Sequence, residues 1–308
     1  MMAEEAHLVS ETLPFMISLG QWSLHRRILG ATSTLQNLYH TFVGAHLGPP
    51  DRFHGELDPL DFPLVARREL GIGAVEFIGF FYAAHLRNMR YMRELKDRCA
   101  GEGVRGLLVT CGAEGALGDP DSATRGAVVQ RHLKWLDMAA YLGCHSVSVR
   151  IASSGAADDQ ARYAAEGLHD LGEWAQLHGL HVLVENHHGL SSDGEWLARV
   201  LKLADLPNVG ASPDWGNFDD ANSAARYESL QRMMPFARAV AAKCYDFDPD
   251  GNETTLDFPR LVGIATAANY RGHLGIEYEG SRLSETDGVR ACKSLLERIQ
   301  RGELRSAA

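Results

Sequence analysis

The chain has 308 residues, of which 45% are hydrophobic and 23% are charged, as in ordinary soluble globular proteins. Its 30 basic and 40 acidic side chains give a net charge of −10. The short basic clusters Arg26-Arg27 and Arg67-Arg68 are too small to bind a nucleic-acid backbone, which requires many clustered cations. Composition therefore argues against a nucleic-acid partner and against an anionic membrane surface.

Cysteine usage and the N-terminal residues indicate a cytoplasmic protein. The five cysteines are scattered and form no CxxC pair, which argues against a disulfide framework or a zinc knuckle. The first 14 residues contain three glutamates and no apolar run, unlike a signal peptide. No apolar stretch approaches the length of about 18 residues that a membrane span requires.

Short apolar runs alternate about eight times with longer stretches that have helical spacing. The predicted strands are 15–19, 74–79, 104–110, 146–151, 180–185, 209–214, 239–245 and 274–278. The predicted helices are 59–70, 84–101, 122–142, 158–178, 194–204, 227–234, 258–269 and 286–302. Such alternation is typical of right-handed βαβ units and a parallel sheet. We therefore expect an α/β protein, a (β/α)8 TIM barrel in which residues 1–308 form a single domain.

Two segments interrupt this alternation. Residues 24–58 form a long insertion after the first predicted strand, and residues 246–257 form an acidic loop after the seventh. Long loops inside compact domains are usually functional or disordered. Because both segments follow strands, we expect both at the catalytic face of the barrel.

Acidic residues lie where three of the predicted strands end. Glu185, Asp214 and Glu277 close strands five, six and eight, and in a parallel barrel these ends meet at the active site. Three charged carboxylates in one cleft require a cation or raised pKa values. Oxygen ligands favour Mn²⁺, Mg²⁺ or Co²⁺, with Zn²⁺ as an alternative. The pattern predicts a divalent metal that polarises a carbonyl group, beside a carboxylate that transfers a proton.

Other polar and aromatic residues follow the same strand ends. His187 and His188 come directly after Glu185, and one of them is expected to complete a metal shell or act as a base. Lys243 is expected to donate to a substrate oxygen, and a salt bridge to Glu185 or Glu277 is the alternative. The remaining predicted substrate-binding residues are Trp22, His25, Glu76, Arg150, Asn217 and Glu279.

Four motifs at successive strand ends resemble those of the xylose isomerase-like barrel superfamily. They are Val184-Glu185-Asn-His-His-Gly, Pro213-Asp214-Trp-Gly-Asn217-Phe, Ala242-Lys243-Cys-Tyr-Asp246-Phe and Gly275-Ile-Glu277-Tyr-Glu279-Gly. The resemblance spans nearly the whole chain and points to the sugar phosphate isomerase/epimerase group. It implies that Glu185, Asp214 and Glu277 are metal ligands, and that the two glutamates also serve as the acid–base pair.

The chain departs from the family pattern at two positions. Family epimerases usually have a substrate-contacting His three residues after the Asp of strand six, where this chain has Asn217. They usually have a fourth metal ligand, again His, two residues before the Lys of strand seven, where this chain has Ala241. Since Ala has no ligating atom, a bound metal has three protein ligands, recruits His187 or His188, or is weak or absent.

The resemblance implies a metal-dependent isomerase or epimerase of a sugar or sugar derivative, working through an enediolate. One alternative is a keto-glycoside lyase or hydrolase that uses the same site for β-elimination. Another is a sugar-binding barrel without catalytic activity. An endonuclease IV-like repair enzyme would need several more His ligands and a basic groove, which the charge of −10 disfavours. The expected partner is a small-molecule sugar, and a homo-oligomer fits the family by analogy.

Overall fold

The structure is a computed structural model that describes residues 13–30, 55–112, 114–218 and 223–304. Most of the predicted insertion 24–58 lies outside these ranges. Eight strands are present: β1 (Met16–Gly20), β2 (Ala74–Ile78), β3 (Arg105–Cys111), β4 (Ser146–Val149), β5 (His181–Val184), β6 (Val209–Ala211), β7 (Val240–Cys244) and β8 (His273–Tyr278).

The strands form one parallel sheet that curls into a barrel. Their order is β6-β5-β4-β3-β2-β1-β8-β7, so neighbours in the sheet follow the chain except where β1 pairs with β8. Between β6 and β7, two isolated parallel bridges, Ala211 with Ala237 and Asp214 with Ala241, join the sheet's two ends. The predicted (β/α)8 barrel fold is confirmed.

Helices follow most of the strands and cover the outside of the barrel. The longer ones are Met89–Glu102, Ser122–Leu142, Ala157–Leu177, Gly194–Ala204, Ser223–Met233, Phe258–Ala267 and Glu285–Gln300. Their boundaries have local causes: Asp121 and Asp193 accept backbone N–H groups at two N-termini, and Gly143 ends one helix in the left-handed conformation. No helix in the described ranges is long and apolar enough to cross a bilayer.

The remaining helical segments are short. The predicted helix 59–70 is instead a succession of three turns of different type, Pro59–Asp61, Phe62–Leu64 and Val65–Glu69. Further short segments are Gln21–Leu24 and His25–Leu29 after β1, Gly79–His85 after β2, Gly189–Ser192 after β5 and Met234–Phe236 before β7.

The larger hydrophobic core lies between the strands and the surrounding helices, and a smaller cluster lies within the barrel. Leu108, Leu183 and Ala239 form this separate buried cluster. Side chains alternate between the two faces of a strand, so the inward face of β5 that carries Leu183 also carries Glu185 at its end. The same alternation places Ala241 and Lys243 above Ala239. The barrel interior thus changes from apolar to charged towards the carboxyl ends of its strands.

The loop 246–257 is tied back onto the end of β7. Phe247 and Glu253 form an antiparallel bridge across it. The Glu253 carboxylate accepts the Tyr245 backbone N–H at 3.1 Å and also the N–H groups of Thr255 and Leu256. Its acidic residues are therefore partly used in holding the loop's own shape.

Candidate active site

The Lys243 ammonium lies at the centre of the carboxyl-end cluster. The side chain comes from β7 and is only 4% exposed. Its Nζ is 3.1 Å from Glu277 Oε1, 3.2 Å from Asp214 Oδ2 and 3.5 Å from Glu279 Oε1. Burial lowers the pKa of Lys243, but these carboxylates outweigh it and raise the pKa well above its usual value. The lysine is therefore a permanent cation.

Asn217 connects the lysine to the carboxylates of β5 and β6. Its side-chain Nδ2 donates to Glu185 Oε1 at 3.1 Å and to Asp214 Oδ2 at 2.9 Å, and its Oδ1 accepts from Lys243 Nζ at 2.9 Å. The residue is buried. A single amide thus links Glu185, Asp214 and Lys243, whereas the sequence predicted a substrate contact at Asn217.

Asp214 is held by its own turn and by a side chain from the neighbouring strand end. The backbone N–H groups of Gly216 and Asn217 donate to Asp214 Oδ1 at 2.7 and 3.2 Å. Asn186 accepts the Asp214 N–H at 2.8 Å and donates to the Asp214 carbonyl at 3.0 Å. The sequence prediction missed Asn186, although its position directly after Glu185 marked it as a strand-end polar residue.

The carboxylates differ in how readily they release a proton. Burial raises the pKa of Glu277 to about 8, against the opposing effect of Lys243. Burial likewise raises the pKa of Asp214 to about 6, which Lys243 again counteracts. Burial therefore favours the protonated form of Glu277, in which it can donate a proton. Glu185 in contrast accepts hydrogen bonds from Asn217 and, at 3.4 Å, from Arg150 Nη2.

The two predicted histidines lie beside Glu185 at the barrel mouth. Burial, followed by the nearby Arg150 charge, lowers the pKa of His187 to about 4, so its imidazole is neutral at pH 7. His188 is exposed and has φ 62 and ψ 167, a region rarely populated by residues other than glycine. Its N–H donates to the Asn217 carbonyl at 3.2 Å, and its carbonyl accepts from Ser191 Oγ at 2.9 Å. These bonds hold the strained turn in place.

Glu76 projects into the barrel from β2. Ser18 Oγ donates to Glu76 Oε1 at 2.7 Å, and burial raises the pKa of Glu76 to about 7. Gly275 on β8 leaves room for this carboxyl group, since a Cβ there would lie 2.7 Å from Glu76 Cδ. The nearby negative charge of Glu185 adds to the rise in pKa, which shows that Glu76 is electrostatically coupled to the site.

Trp22 and His25 have different surroundings although they were predicted to form one wall. Trp22 Nε1 donates to Glu279 Oε1 at 2.8 Å, so the indole reaches the carboxylate cluster. His25 is 5% exposed and stacks on Trp22 with 4.7 Å between ring centroids. Its Nδ1 lies 2.7 Å from the Trp22 carbonyl and 3.4 Å from Glu285 Oε1. These contacts favour a supporting role for His25 behind Trp22.

The side chains of the cluster do not fit the divalent metal predicted from the sequence. In the described part of the chain, no group of three or more His, Cys, Asp or Glu side chains is arranged to hold a metal ion. Oxygens expected to ligate are instead occupied by the Lys243 ammonium and the Asn217 amide. Ala241 supplies no donor. We therefore assign no chemical step to a metal.

Comparison with models of protein families identifies the family of this barrel. Residues 64–299 match the model of the xylose isomerase-like TIM barrel family. The chain belongs to this family. The resemblance drawn from the four strand-end motifs is thereby confirmed, and the family is one whose solved members include sugar phosphate isomerases and epimerases.

Solved structures similar to this xylose isomerase-like chain share its fold at low identity. The 3-keto-D-glucoside 4-epimerase YcjR from E. coli has a TM-score of 0.63 and 18% identity, covering 78% of this chain and 94% of that one. The IolI protein with a zinc atom has a TM-score of 0.68 and 11% identity, covering 95% and 100%. L-ribulose 3-epimerase has a TM-score of 0.67 and 15% identity, covering 94% and 96%.

One curated relative matches a short part of the sequence. Over 60 residues the chain is 42% identical to the C-glycoside deglycosidase alpha subunit of Arthrobacter globiformis. The match covers 18% of this chain and 17% of that protein's length.

Proposed function

We propose that this chain is a sugar isomerase or epimerase that moves a proton on the carbon next to a carbonyl group. The observation that carries the proposal is the connection of two carboxyl groups, Glu185 and Glu277, through Asn217 and Lys243. Glu185 accepts from Asn217 Nδ2, Asn217 Oδ1 accepts from Lys243, and Lys243 contacts Glu277. Burial favours the protonated form of Glu277, and a carboxyl group that donates a proton near one that accepts a proton is the pair that acid–base catalysis requires.

In the proposed reaction, Glu185 removes the proton from the carbon beside the carbonyl. The electron pair of that C–H bond moves into the carbonyl, giving an enediolate with negative charge on oxygen. Lys243, a fixed cation, stabilises that oxygen. Glu277 then donates its proton to the opposite face of the same carbon, which gives the epimer. Alternatively, Glu185 returns its proton to the neighbouring carbon while the hydroxyl proton of the enediolate moves from one oxygen to the other, which gives the isomer. After epimerisation, exchange with solvent restores both carboxyl groups.

The proposed substrate contacts lie on both sides of this acid–base pair. Trp22, whose indole N–H reaches Glu279, places an aromatic side chain beside the cluster for contact with a sugar. Arg150, with its side chain 41% exposed, has hydrogen-bond donors available to a substrate oxygen in addition to its contact with Glu185. His187 is neutral at pH 7, so it can donate or accept a hydrogen bond without adding charge. His188 lies at the open end of the same strand.

A second reaction fits the same residues and is favoured by the match to the C-glycoside deglycosidase alpha subunit. Here the enediolate expels a group from the carbon two positions away from the carbonyl. The bond to that group breaks as a carbon–carbon double bond forms, and Glu277 protonates the leaving group. A 3-keto-glycoside is the substrate class that permits this elimination.

The assay compares Glu185→Gln and Glu277→Gln with the unchanged chain on a panel of ketoses and 3-keto-glycosides. Each Gln keeps the shape but loses the transferable proton, so we expect at least about a hundredfold loss of turnover. Glu228→Gln, at an exposed position on a helix, is the matched control and should retain activity. An epimer as product supports the first reaction, and a released aglycone supports the second. Full activity of folded Glu277→Gln on every accepted substrate would contradict the assignment.

A further inference from the structure

We propose that Lys243 is the built-in cation of this site and stands in place of the divalent metal that the strand-end carboxylates predict. The cluster would then be a metal-independent member of its fold family. The part of this inference that concerns the reaction rests on the proposed function. The claim that a lysine and not a metal ion neutralises the carboxylates does not. It stands on the geometry of Lys243, Asp214, Asn217 and Gly216.

The lysine ammonium has one hydrogen bond and two close ion-pair contacts. An ammonium group offers three donors, and Nζ lies 2.9 Å from Asn217 Oδ1, 3.1 Å from Glu277 Oε1 and 3.2 Å from Asp214 Oδ2. Each acceptor comes from a different residue near the mouth end of β6 or β8. The ammonium is therefore held at the point where the carboxylates converge, the position at which a metal would balance their charge.

The Asp214 carboxylate has no oxygen free for a metal. Oδ1 accepts the backbone N–H groups of Gly216 and Asn217, at 2.7 and 3.2 Å. Oδ2 accepts Asn217 Nδ2 at 2.9 Å and contacts Lys243 Nζ at 3.2 Å. A carboxylate has about four lone-pair sites, and all four are directed at donors of the protein. A cation could bind only by breaking these bonds inside a buried site.

The Asn217 amide similarly blocks Glu185. Its Nδ2 group donates to Glu185 Oε1 at 3.1 Å as well as to Asp214. A metal bridging Glu185 Oε1 and Asp214 Oδ2 would have to lie where this amide nitrogen lies. Of the two departures from the family pattern, Ala241 replaces a ligand position by a methyl group, and Asn217 replaces a substrate-contacting His by an amide that donates to two of the carboxylates.

The local backbone is shaped around the lysine stem. At Gly216, an added Cβ would lie 2.8 Å from Lys243 Cγ and 2.6 Å from the Tyr245 hydroxyl oxygen. Both distances are shorter than any normal contact, so the stem can pass only because residue 216 has no side chain. Ala241 lies on the same inward face of β7 and is short. Glycine at 216 and alanine at 241 together leave space for Lys243 to reach the carboxylates.

The test measures metal binding in the absence of any sugar. The unchanged chain is titrated with Mn²⁺ while free Mn²⁺ is followed by electron paramagnetic resonance, and its Tm is recorded with and without the metal. We expect no saturable site and no Tm shift. The double variant Ala241→His/Lys243→Ala restores a ligand and removes the cation, so it should bind one Mn²⁺ per chain and gain Tm. Lys202→Ala, at an exposed helix position, is the control and should behave as the unchanged chain.

The outcomes separate this inference from the proposed function. Tight binding of one Mn²⁺ by the unchanged chain, lost on Asp214→Asn, would overturn it. If the double variant does not fold by circular dichroism, the titration of the unchanged chain still decides the question. A chain that binds no metal and acts on no sugar would leave Lys243 as the resident cation and refute only the proposed function.

Discussion

Replacing Glu76 by Gln should make the protein more stable at alkaline pH and leave its stability unchanged at acid pH. Burial raises the pKa of the Glu76 carboxyl to about 7, from 4.5 for an unburied glutamate. Between these two values the folded protein keeps a proton that the unfolded chain has lost. Stability therefore falls as pH rises through this window and stays reduced above about pH 7.

The size of the effect follows from the two pKa values. Each pKa unit corresponds to about 1.4 kcal/mol, so the shift from 4.5 to about 7 means that ionisation costs the folded state at most about 3.5 kcal/mol above neutral pH. Below pH 4.5, the carboxyl is protonated in both states and contributes nothing to the pH dependence. Glutamine is neutral throughout and nearly the same shape, so Glu76→Gln removes this cost while it still accepts a hydrogen bond from Ser18.

Urea unfolding of both proteins between pH 4 and pH 9 measures the difference directly. The free energy of unfolding of Glu76→Gln should exceed that of the unchanged chain by up to about 3 kcal/mol at pH 8 and converge with it near pH 4. Taking the difference cancels the contributions of the other titrating groups. A difference that is constant with pH, as expected for the exposed control Glu228→Gln, would refute the burial of an ionisable Glu76.

Four further substitutions test the packing of the site and its surroundings. Asn217→Ala should lower the free energy of unfolding by about 3 kcal/mol, because hydrogen bonds to charged groups contribute about 1.5–3 kcal/mol each; a change below about 1 kcal/mol in urea unfolding would contradict the bridging role. Gly216→Ala should displace Lys243 and reduce kcat more than it raises KM, and unchanged kinetics would show that the stem is not confined. Gly167→Ala should lower Tm because its Cβ would collide with the Leu117 carbonyl. Gly126 has open space around it, so Gly126→Ala should gain up to about 1 kcal/mol of stability from helix propensity. Equal Tm changes in the two variants would contradict the close packing of Gly167 against Leu117.

The barrel could be predicted from the sequence because its signals are local and repeated. Apolar runs of strand length, helical spacing between them and glycine at helix ends such as Gly143 each reflect the chemistry of a few neighbouring residues. The helical segment 59–70 was harder, since its three short turns keep the apolar spacing of one helix. Residues 31–54 lie outside the part of the chain that the structure describes.

The sequence predicted which residues lie at the candidate site better than it predicted how their side chains are arranged. Glu185, Asp214, Glu277 and Lys243 come together because they end successive strands of one barrel. The Lys243 ammonium lies between Asp214 and Glu277 because of the direction its flexible side chain takes. No sequence spacing specifies that direction. The glycine at position 216 was visible in the sequence as a residue without a side chain inside a strand-end motif. Its importance could not be predicted, because it depends on contact with Lys243 from another strand.

The measurement that tests the central claim most directly is solvent deuterium incorporation. The protein is incubated in D₂O with the ketose and 3-keto-glycoside panel, and each substrate and product is followed by NMR for exchange at the carbon beside the carbonyl. The account predicts deuterium at that carbon for the accepted sugar, strongly reduced by Glu185→Gln. An accepted sugar that is converted to its epimer without any solvent deuterium at that carbon would contradict proton transfer through Glu185 and Glu277.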